Sequence, residues 1–454
     1  MLISGIIIVV FIGFLVINII SIRYSLIEKI GLSFPIGIGI QTITMLVMNM
    51  VGLKLTAIGM LLSGILLISI LSIILYQRRE KIKAYYKDNP LYLNTSGYNL
   101  VWLFLIIVIA YLEYMNFSKC MYFPTFDRDS LAGFDTIGYV IAEEHTFRNL
   151  SIFQQNYIST INNAGSYITY APMVQLSYGF VYLLGAETSK IIPALMYLSL
   201  LIVFYGSVKR VSGRTGAAIA TFFMMITPEM IGFSSLSATN LIHAVYASMG
   251  IIYIALWFKF RERRDLYLGS VLLGLNIWTR TEGVVFICTA LFVVFVDTVI
   301  NKKGWINMLP VILAFSPALL WIIFTRIYNF HAESIAILHP YWDAEKAEII
   351  WKYMKLLYTS TLYYGWTFIF FAVSLILNGW YLFRKRDNLA LLAMIVLSSL
   401  LYMIVLYQID YKWDSIENVL AYSAKRFMFC FIPMFWFYIV SNRVVRIGLN
   451  HLKI

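Results

Sequence analysis

Asp127, Asp129, Asp135, Glu143, Glu144 and His145 stand together in the stretch PTFDRDSLAGFDTIGYVIAEEHTF, in a chain where only 13% of residues are charged. Long apolar runs flank this stretch on both sides. Carboxylates gathered at the edge of such runs suit general-base work or metal binding. The plain alternative is a solvated loop in which Asp and Gly make turns. His145 earns attention only through its acidic neighbours. A divalent metal is left open as a cofactor.

Composition decides what must position these residues. Of 454 residues, 61% are hydrophobic, and the mean hydropathy is +0.78. A soluble domain carries roughly 45–50% apolar residues, so this chain reads as a polytopic membrane protein, all-α, with no soluble appended domain. Aromatic residues at 17% suit interfacial belts. The net charge of +12 belongs to basic loops on one side of a membrane and not to nucleic-acid binding. Cys120, Cys288 and Cys430 form no C-x-x-C pair and no disulfide framework. The first apolar run lacks a basic leader and a small-residue cleavage site, so it reads as a retained span.

Apolar runs near 2–22, 33–52, 56–76, 98–116, 188–208, 213–232, 239–258, 266–280, 283–301, 306–327, 363–383, 389–408 and 426–442 predict thirteen spans. The connections at 21–30, 77–88, 208–214, 259–265, 301–304 and 384–388, with the C-terminal tail, then fall on one side. They hold 22 of the 35 Lys and Arg. By the positive-inside rule that side is cytoplasmic, with the N-terminus outside and the C-terminus inside. Three loops, 117–187, 328–362 and 409–425, gather on the outer side. Within the first, APMVQLSYGFVYLLG (171–185) is apolar enough to span. Counting it as a span would put VKRVSGR outside, so it is placed as an interfacial helix on the outer leaflet. The chain is one integral domain: N-terminal spans in 1–95, a core in 96–300 carrying the outer loop 117–187, and C-terminal spans in 301–454.

Several polar residues are not required by a membrane fold. Glu229 lies in the turn ITPEM, followed by Ser234, Ser235, Ser237, Thr239 and Asn240, of which Thr239 or Asn240 can cap the next helix. Arg280 and Glu282 share the outward turn WTRTEG, where a local ion pair is the plain reading. His243, one turn into its helix, reads as a packing residue. Lys425 and Arg426 stand at the outer mouth of the last span, against the positive-inside trend. Snorkelling accounts for one cation; a pair suits an anionic group such as a lipid phosphate. No P-loop is present, matched half-repeats with broken helices are not evident, and mid-span charges are nearly absent. ATP-driven and secondary transport therefore lack a signature.

In their order these features resemble the GT-C superfamily of polytopic glycosyltransferases, the branch of protein O-mannosyltransferases and lipid A aminoarabinose transferases. The carriers are FDTIGYVIA (Asp135, Tyr139 and Ala142 at helical spacing), YAPMVQLSYGFVYLLG, VKRVSGRTGAA, ITPE, GLNIWTRTEG and KRFMFCFIP. They cover roughly 120–290 and, more loosely, 420–440. Two positions depart from the pattern: Thr136 stands where a Glu commonly follows the Asp, and Asn240 where an Asp is common. A second carboxylate must then come from Asp127, Asp129 or Glu229. The four spans before the loop exceed the usual single one, so 1–95 reads as an N-terminal addition.

The resemblance implies transfer of a sugar from a polyprenyl-phosphate carrier to a glycan, lipid or protein acceptor. The place implied is the outer face of a bacterial cytoplasmic membrane, in cell-surface glycan synthesis. Asp135 would be the base, assisted by Asp127 or Asp129; Arg426, with Lys425 or Arg280, would hold the phosphate; Glu229, Tyr139 and His145 would serve the acceptor or a second acid. Partners would be the lipid-linked donor, the acceptor and membrane lipids, and no nucleic acid. The rivals are a transporter or flippase for lipid-linked saccharides, and an O-antigen polymerase or ligase.

Overall fold

The computed structural model describes residues 1–88, 99–148, 150–153, 170–302, 304–328, 336–338, 341–411 and 415–451. It is almost wholly helical. In chain order the helices are α1 (Leu2–Ile20), α2 (Leu26–Met50), α3 (Ala57–Tyr76), α4 (Arg79–Asp88), α5 (Leu100–Tyr122), α6 (Asp135–Glu144), α7 (Met173–Leu183), α8 (Ile191–Met225), α9 (Pro228–Phe233) and α10 (Thr239–Phe260). There follow α11 (Arg263–Thr279), α12 (Gly283–Ile300), α13 (Leu309–Leu313), α14 (Ser316–Ile327), α15 (Ala344–Thr359), α16 (Thr367–Lys385), α17 (Leu389–Gln408), α18 (Ile416–Met428), α19 (Ile432–Ser441) and α20 (Arg443–His451). Among the described residues the strands are a short antiparallel pair, β1 (Ala336–Leu338) with β2 (Ile409–Tyr411), Ile337 facing Asp410.

Among the described residues, eleven helices are long and apolar enough to cross a membrane. Two more traverses follow from the packing. α8 holds a break at Gly213 (φ 73, ψ −172), a conformation open essentially to glycine alone. Its arm 191–212 starts beside the end of α5, where Lys190 Nζ donates to the Phe123 carbonyl at 2.8 Å. That arm ends near the start of α2, where Arg210 meets Glu28. Its arm 214–225 starts beside the beginning of α5 through Asn99 and Thr215 (3.1 Å), and the chain returns to the other end of α5 through Asn116 and Ser234 (2.6 Å). The two arms are therefore antiparallel. α11, 17 residues long, lies against α10: an ideal Cβ on Gly269 would stand 2.9 Å from the Gly250 carbonyl. With these two, candidates on packing alone, the described residues hold thirteen candidate traverses against the eleven that length and composition give.

The basic connections meet at one end of the bundle, the far end. There Arg210 Nη1 and Nη2 donate to Asp265 Oδ1 and Oδ2 at 2.9 and 2.7 Å, and the Tyr253 hydroxyl donates to Glu28 at 3.1 Å. Glu28 and Asp265 are buried, so four helices are fastened by one charge network. α2 lies deep in the bundle and supplies Glu28. Of the N-terminal spans, α2 is thus built into the core, whereas α3 stays largely exposed at its edge.

Two expectations need correction. Residues 171–185 do not lie on a lipid surface. α7 is buried almost throughout, covered by α6, α2 and α1, with Gly5 of α1 against Leu184 and Gly138 of α6 against Tyr178. A short helix apolar on every side is a core helix. The second concerns 409–425, read as loop up to a span starting at Arg426. The helix begins at Ile416, capped by Ser415, so Lys425 and Arg426 occupy its last turn. There a cation favours the helix dipole.

Replacing Gly213 by Ala should lower thermal stability in detergent by about 1–3 kcal/mol. Gly379→Ala, in the interior of α16 where a Cβ meets nothing within 4 Å, should be neutral or gain up to about 1 kcal/mol. Equal melting shifts for the two would mean the α8 hairpin does not turn on Gly213.

Candidate active site

The first acid after α5 already has a structural role. Asp127 Oδ2 accepts from the backbone N–H and the hydroxyl of Ser130, at 3.1 and 3.0 Å. That contact starts a π-helical turn, Ser130–Phe134, which runs directly into α6. Asp127 is thereby a turn-forming residue by geometry. Asp135 opens α6, and both its oxygens are taken: Thr125 Oγ1 donates to Oδ2 at 2.8 Å and the Tyr182 hydroxyl to Oδ1 at 2.6 Å. Burial, followed by the bond to Asp135, pushes the Tyr182 hydroxyl above its ordinary range. Tyr182 also accepts from the Ser189 N–H at 3.2 Å. α6 is seated by close backbone approach: a Cβ on Gly138 would lie 2.5 Å from that of Tyr178. Any larger residue there must lift α6, and Asp135 with it.

The last long helices close over this loop. Arg426 of α18 pairs with Asp129 across 297 residues of sequence. Lys425 stands 3.7 Å from Glu229 of α9, with its ammonium over the Tyr363 ring and its carbonyl held by the Tyr364 hydroxyl at 3.0 Å. Burial raises the Glu229 carboxyl above its ordinary range, and the charge of Lys425 offsets part of this. Stacking fixes α18 itself: Phe427 lies face to face with Tyr402 of α17, centroids 3.5 Å apart, and with Phe286 of α12.

Arg280 grips Glu282 with Nε and Nη2, at 3.2 and 2.7 Å, and donates Nη1 to Asn240 Oδ1 at 3.2 Å. Burial alone would raise Glu282, but Arg280 beside it brings it below the usual carboxylate range. Asn240 serves this contact and not the expected helix cap; Ala238 holds that place without a side-chain bond. Tyr170 joins the two halves. Its ring meets Phe134 edge-on at 5.3 Å and lies under the Arg280 guanidinium at 5.6 Å. The fields of Asp129 and Arg426 also reach its hydroxyl.

The structure thus gathers Asp127, Asp129, Asp135, Glu229, Arg280, Lys425 and Arg426 at one end of the bundle. Tyr139 is there too, exposed, its ring edge-on to Tyr182 at 5.7 Å. His145 is not. It terminates α6 in the left-handed region (φ 56) at the opposite end from Asp135, and Nδ1 donates to the Leu55 carbonyl at 3.1 Å. Its position is explained by capping. His243 is buried against Phe286, the packing place read for it. Thr125, Tyr170 and Tyr182 are the residues that sequence reasoning passed over. Among the described residues no three His, Cys, Asp or Glu side chains form a metal-binding set.

A cluster of carboxylates and cations thus lies at one end of the bundle, beside helices long and apolar enough to cross a membrane. Residues 171–321 match the family model of dolichyl-phosphate-mannose-protein mannosyltransferases. No curated protein and no solved structure matches the chain. The family match supports a membrane glycosyltransferase of the GT-C superfamily. It spans about a third of the chain, from α7 into α14, and so includes Tyr182, Glu229, Arg280 and Glu282. Asp135 and Arg426 lie outside it.

The raised Glu229 carboxyl carries a sign. Its folded value exceeds its unfolded one, so its contribution is fully present below the ordinary carboxylate range and is lost as pH rises through the folded value. Glu229→Gln removes that loss. The melting temperature of the variant relative to the parent should climb as pH rises above about 4.5, though Lys425 left unpaired subtracts a constant part. A difference flat with pH would mean Glu229 is charged throughout.

Proposed function

We propose that the protein transfers a sugar, with inversion, from a polyprenyl-phosphate-linked donor to an acceptor hydroxyl at the outer face of the cytoplasmic membrane, in cell-surface glycan synthesis. The observation that carries this reading is the pairing of the acidic loop with the basic end of α18, Asp129 with Arg426. It joins the loop that leads into Asp135 to a candidate phosphate partner. A lipid-linked donor reaches such a site sideways from the bilayer, and the end of the bundle is where it could enter.

In this reading Asp135 takes the acceptor O–H proton as the acceptor oxygen attacks the anomeric carbon. The new C–O bond forms as the bond from that carbon to the phosphate oxygen breaks, and polyprenyl phosphate leaves with the electron pair. Phosphate is a good leaving group and needs positive charge more than an acid. Arg426 supplies that charge in a planar fork, with Lys425 beside it. Arg280, already held by Glu282 and Asn240, orients the Tyr170 side of the site. Thr125 and Tyr182 hold the Asp135 carboxylate in one orientation, so its remaining lone pairs face the acceptor. The far-end network around Arg210 ties four helices where a transporter would have to open, which favours an enzyme over a flippase.

The direct test is incubation of purified protein with a panel of polyprenyl-phosphate sugars and acceptors, followed by mass spectrometry of released polyprenyl phosphate. Absence of sugar-dependent release across the panel would sink the reading. Asp135→Asn should reduce turnover by about 10²–10⁴-fold while elution and melting stay as in the parent. If Asp129→Asn is the inactive variant and Asp135→Asn is not, the base is misassigned.

Arg426→Ala removes a charge-assisted contact of about 1.5–3 kcal/mol, or one to two orders of magnitude in use of the lipid donor. Arg426→Lys should recover part of this, because the fork is gone. Saturation curves indistinguishable from the parent for both variants would place Arg426 outside the donor site and leave it a partner of Asp129 only.

A further inference from the structure

A cavity of about 560 Å³ lies along the side of α5, walled by Leu112, Met115, Asn116, Lys119, Tyr197 and Met225 among others. Its size falls in the roughly 300–1,000 Å³ range of small-ligand sites. The walls are apolar, with specific exceptions. Tyr197 is 1% exposed, and its hydroxyl has no hydrogen-bond partner. Asn116 uses its carbonyl oxygen for Ser234, while its amide nitrogen has no partner. One turn deeper on the same face of α5 the buried Glu113 carboxyl interacts with the Asn116 side chain, which can occupy one of the two amide hydrogens and leaves the other. Buried polar groups are ordinarily satisfied. The Tyr197 hydroxyl and the Asn116 amide, on adjoining helices, both stand in the wall of one cavity and mark a place where something else completes the set.

The spacing says what. Glu113, Asn116 and Lys119 follow at intervals of three along one face, so the cation stands about 4.5 Å of rise above the amide, near the end of α5 next to the candidate active site. The Asn116 amide and the Tyr197 hydroxyl are donors in an apolar wall, and an ester carbonyl is an acceptor carried at the top of an acyl chain. A cation one turn higher matches a phosphate. We propose that this cavity binds a diacyl glycerophospholipid, its ester carbonyls on Asn116 and Tyr197, its phosphate at Lys119 and an acyl chain along Met115 and Met225.

An isoprenoid phosphate has no carbonyl to offer, so this site is distinct from the one proposed for the donor. Bound there, the lipid braces the open side of α5, whose end carries Phe123, the residue whose carbonyl holds Lys190. Two residues further on, Thr125 holds Asp135.

The test measures lipid retention and does not depend on the transfer chemistry. The full-length protein in detergent is titrated by native mass spectrometry with phosphatidylglycerol, its ether-linked analogue lacking the ester carbonyls, and a polyprenyl phosphate. The ester lipid should be held about tenfold more tightly than the ether analogue, as two modest hydrogen bonds dictate. The N116L/Y197F double variant should erase that difference. A photoactivatable acyl chain should cross-link within 112–123, and this wild-type measurement stands even if the double variant fails to fold. Equal retention of ester and ether lipids, cross-linking elsewhere, or displacement of the ester lipid by equimolar polyprenyl phosphate would each overturn the proposal.

Discussion

Everything at the candidate site hangs on a guanidinium at the opposite end of the molecule. A charged group surrounded by apolar helices is tolerable only when its donors are met and its charge balanced. Arg210 meets that demand with Asp265 on α11 and Glu28 on α2, and Glu28 in turn accepts from Tyr253 on α10. Each partner arrives on a different helix, so satisfying one side chain sets the register of α2, α8, α10 and α11 together. Breaking a buried pair by removing one partner costs about 3–5 kcal/mol, which makes slippage of any single helix expensive. Ridges of Leu and Ile would accept several registers; this network does not.

With the far end fixed, the helices deliver their other ends in fixed order, and the site is assembled from those ends. α5 brings Thr125 just past its end, α7 brings Tyr182, α9 brings Glu229, the α11–α12 turn brings Arg280 and Glu282, and α18 brings Lys425 and Arg426. None of these sits at mid-span, where a charge is costly. Each cation faces a carboxylate: Arg426 with Asp129, Lys425 with Glu229, Arg280 with Glu282. Electrostatic balance at this end is therefore local, pair by pair.

Hydropathy and loop charge made the traverses legible, including the reversal at VSGRTG, because a membrane permits few alternatives. The candidate acids and the two cations of α18 were legible because charge is scarce in this chain. What sequence could not supply was pairing. Nothing in KRFMF names Asp129 as the partner of Arg426, and nothing in YLLG aims Tyr182 at Asp135. The start of α18 is not legible in sequence, since SIENVLAYSAKRF is polar enough to pass for loop; its Ser415 cap and its stacking on Tyr402 are visible only in three dimensions. For α7 the reason is the opposite. Its apolar surface suits lipid, but an apolar helix too short to span is equally served by protein on all sides. His145 was drawn in by its acidic neighbours, yet helical geometry carries it a full length of α6 away from Asp135.

The three pairs are not equivalent, and the difference bears on how an anionic ligand could enter. Glu282 is drawn below its ordinary range by Arg280, which also bonds Asn240, so that pair is closed on itself. Arg426 and Asp129 are both partly accessible, with 27% and 22% of their side chains exposed. A partly hydrated pair gains little net stability, and its exchange for another anion loses correspondingly little. A phosphate carries more charge than a carboxylate and offers more acceptor oxygens to the same planar fork. Substituting it for Asp129 would release that carboxylate at the moment the ligand arrives. Under the proposed function the pair would be a placeholder: it would keep the cation neutralised and oriented while the site is empty, and yield without disturbing the helices that the Arg210 network holds.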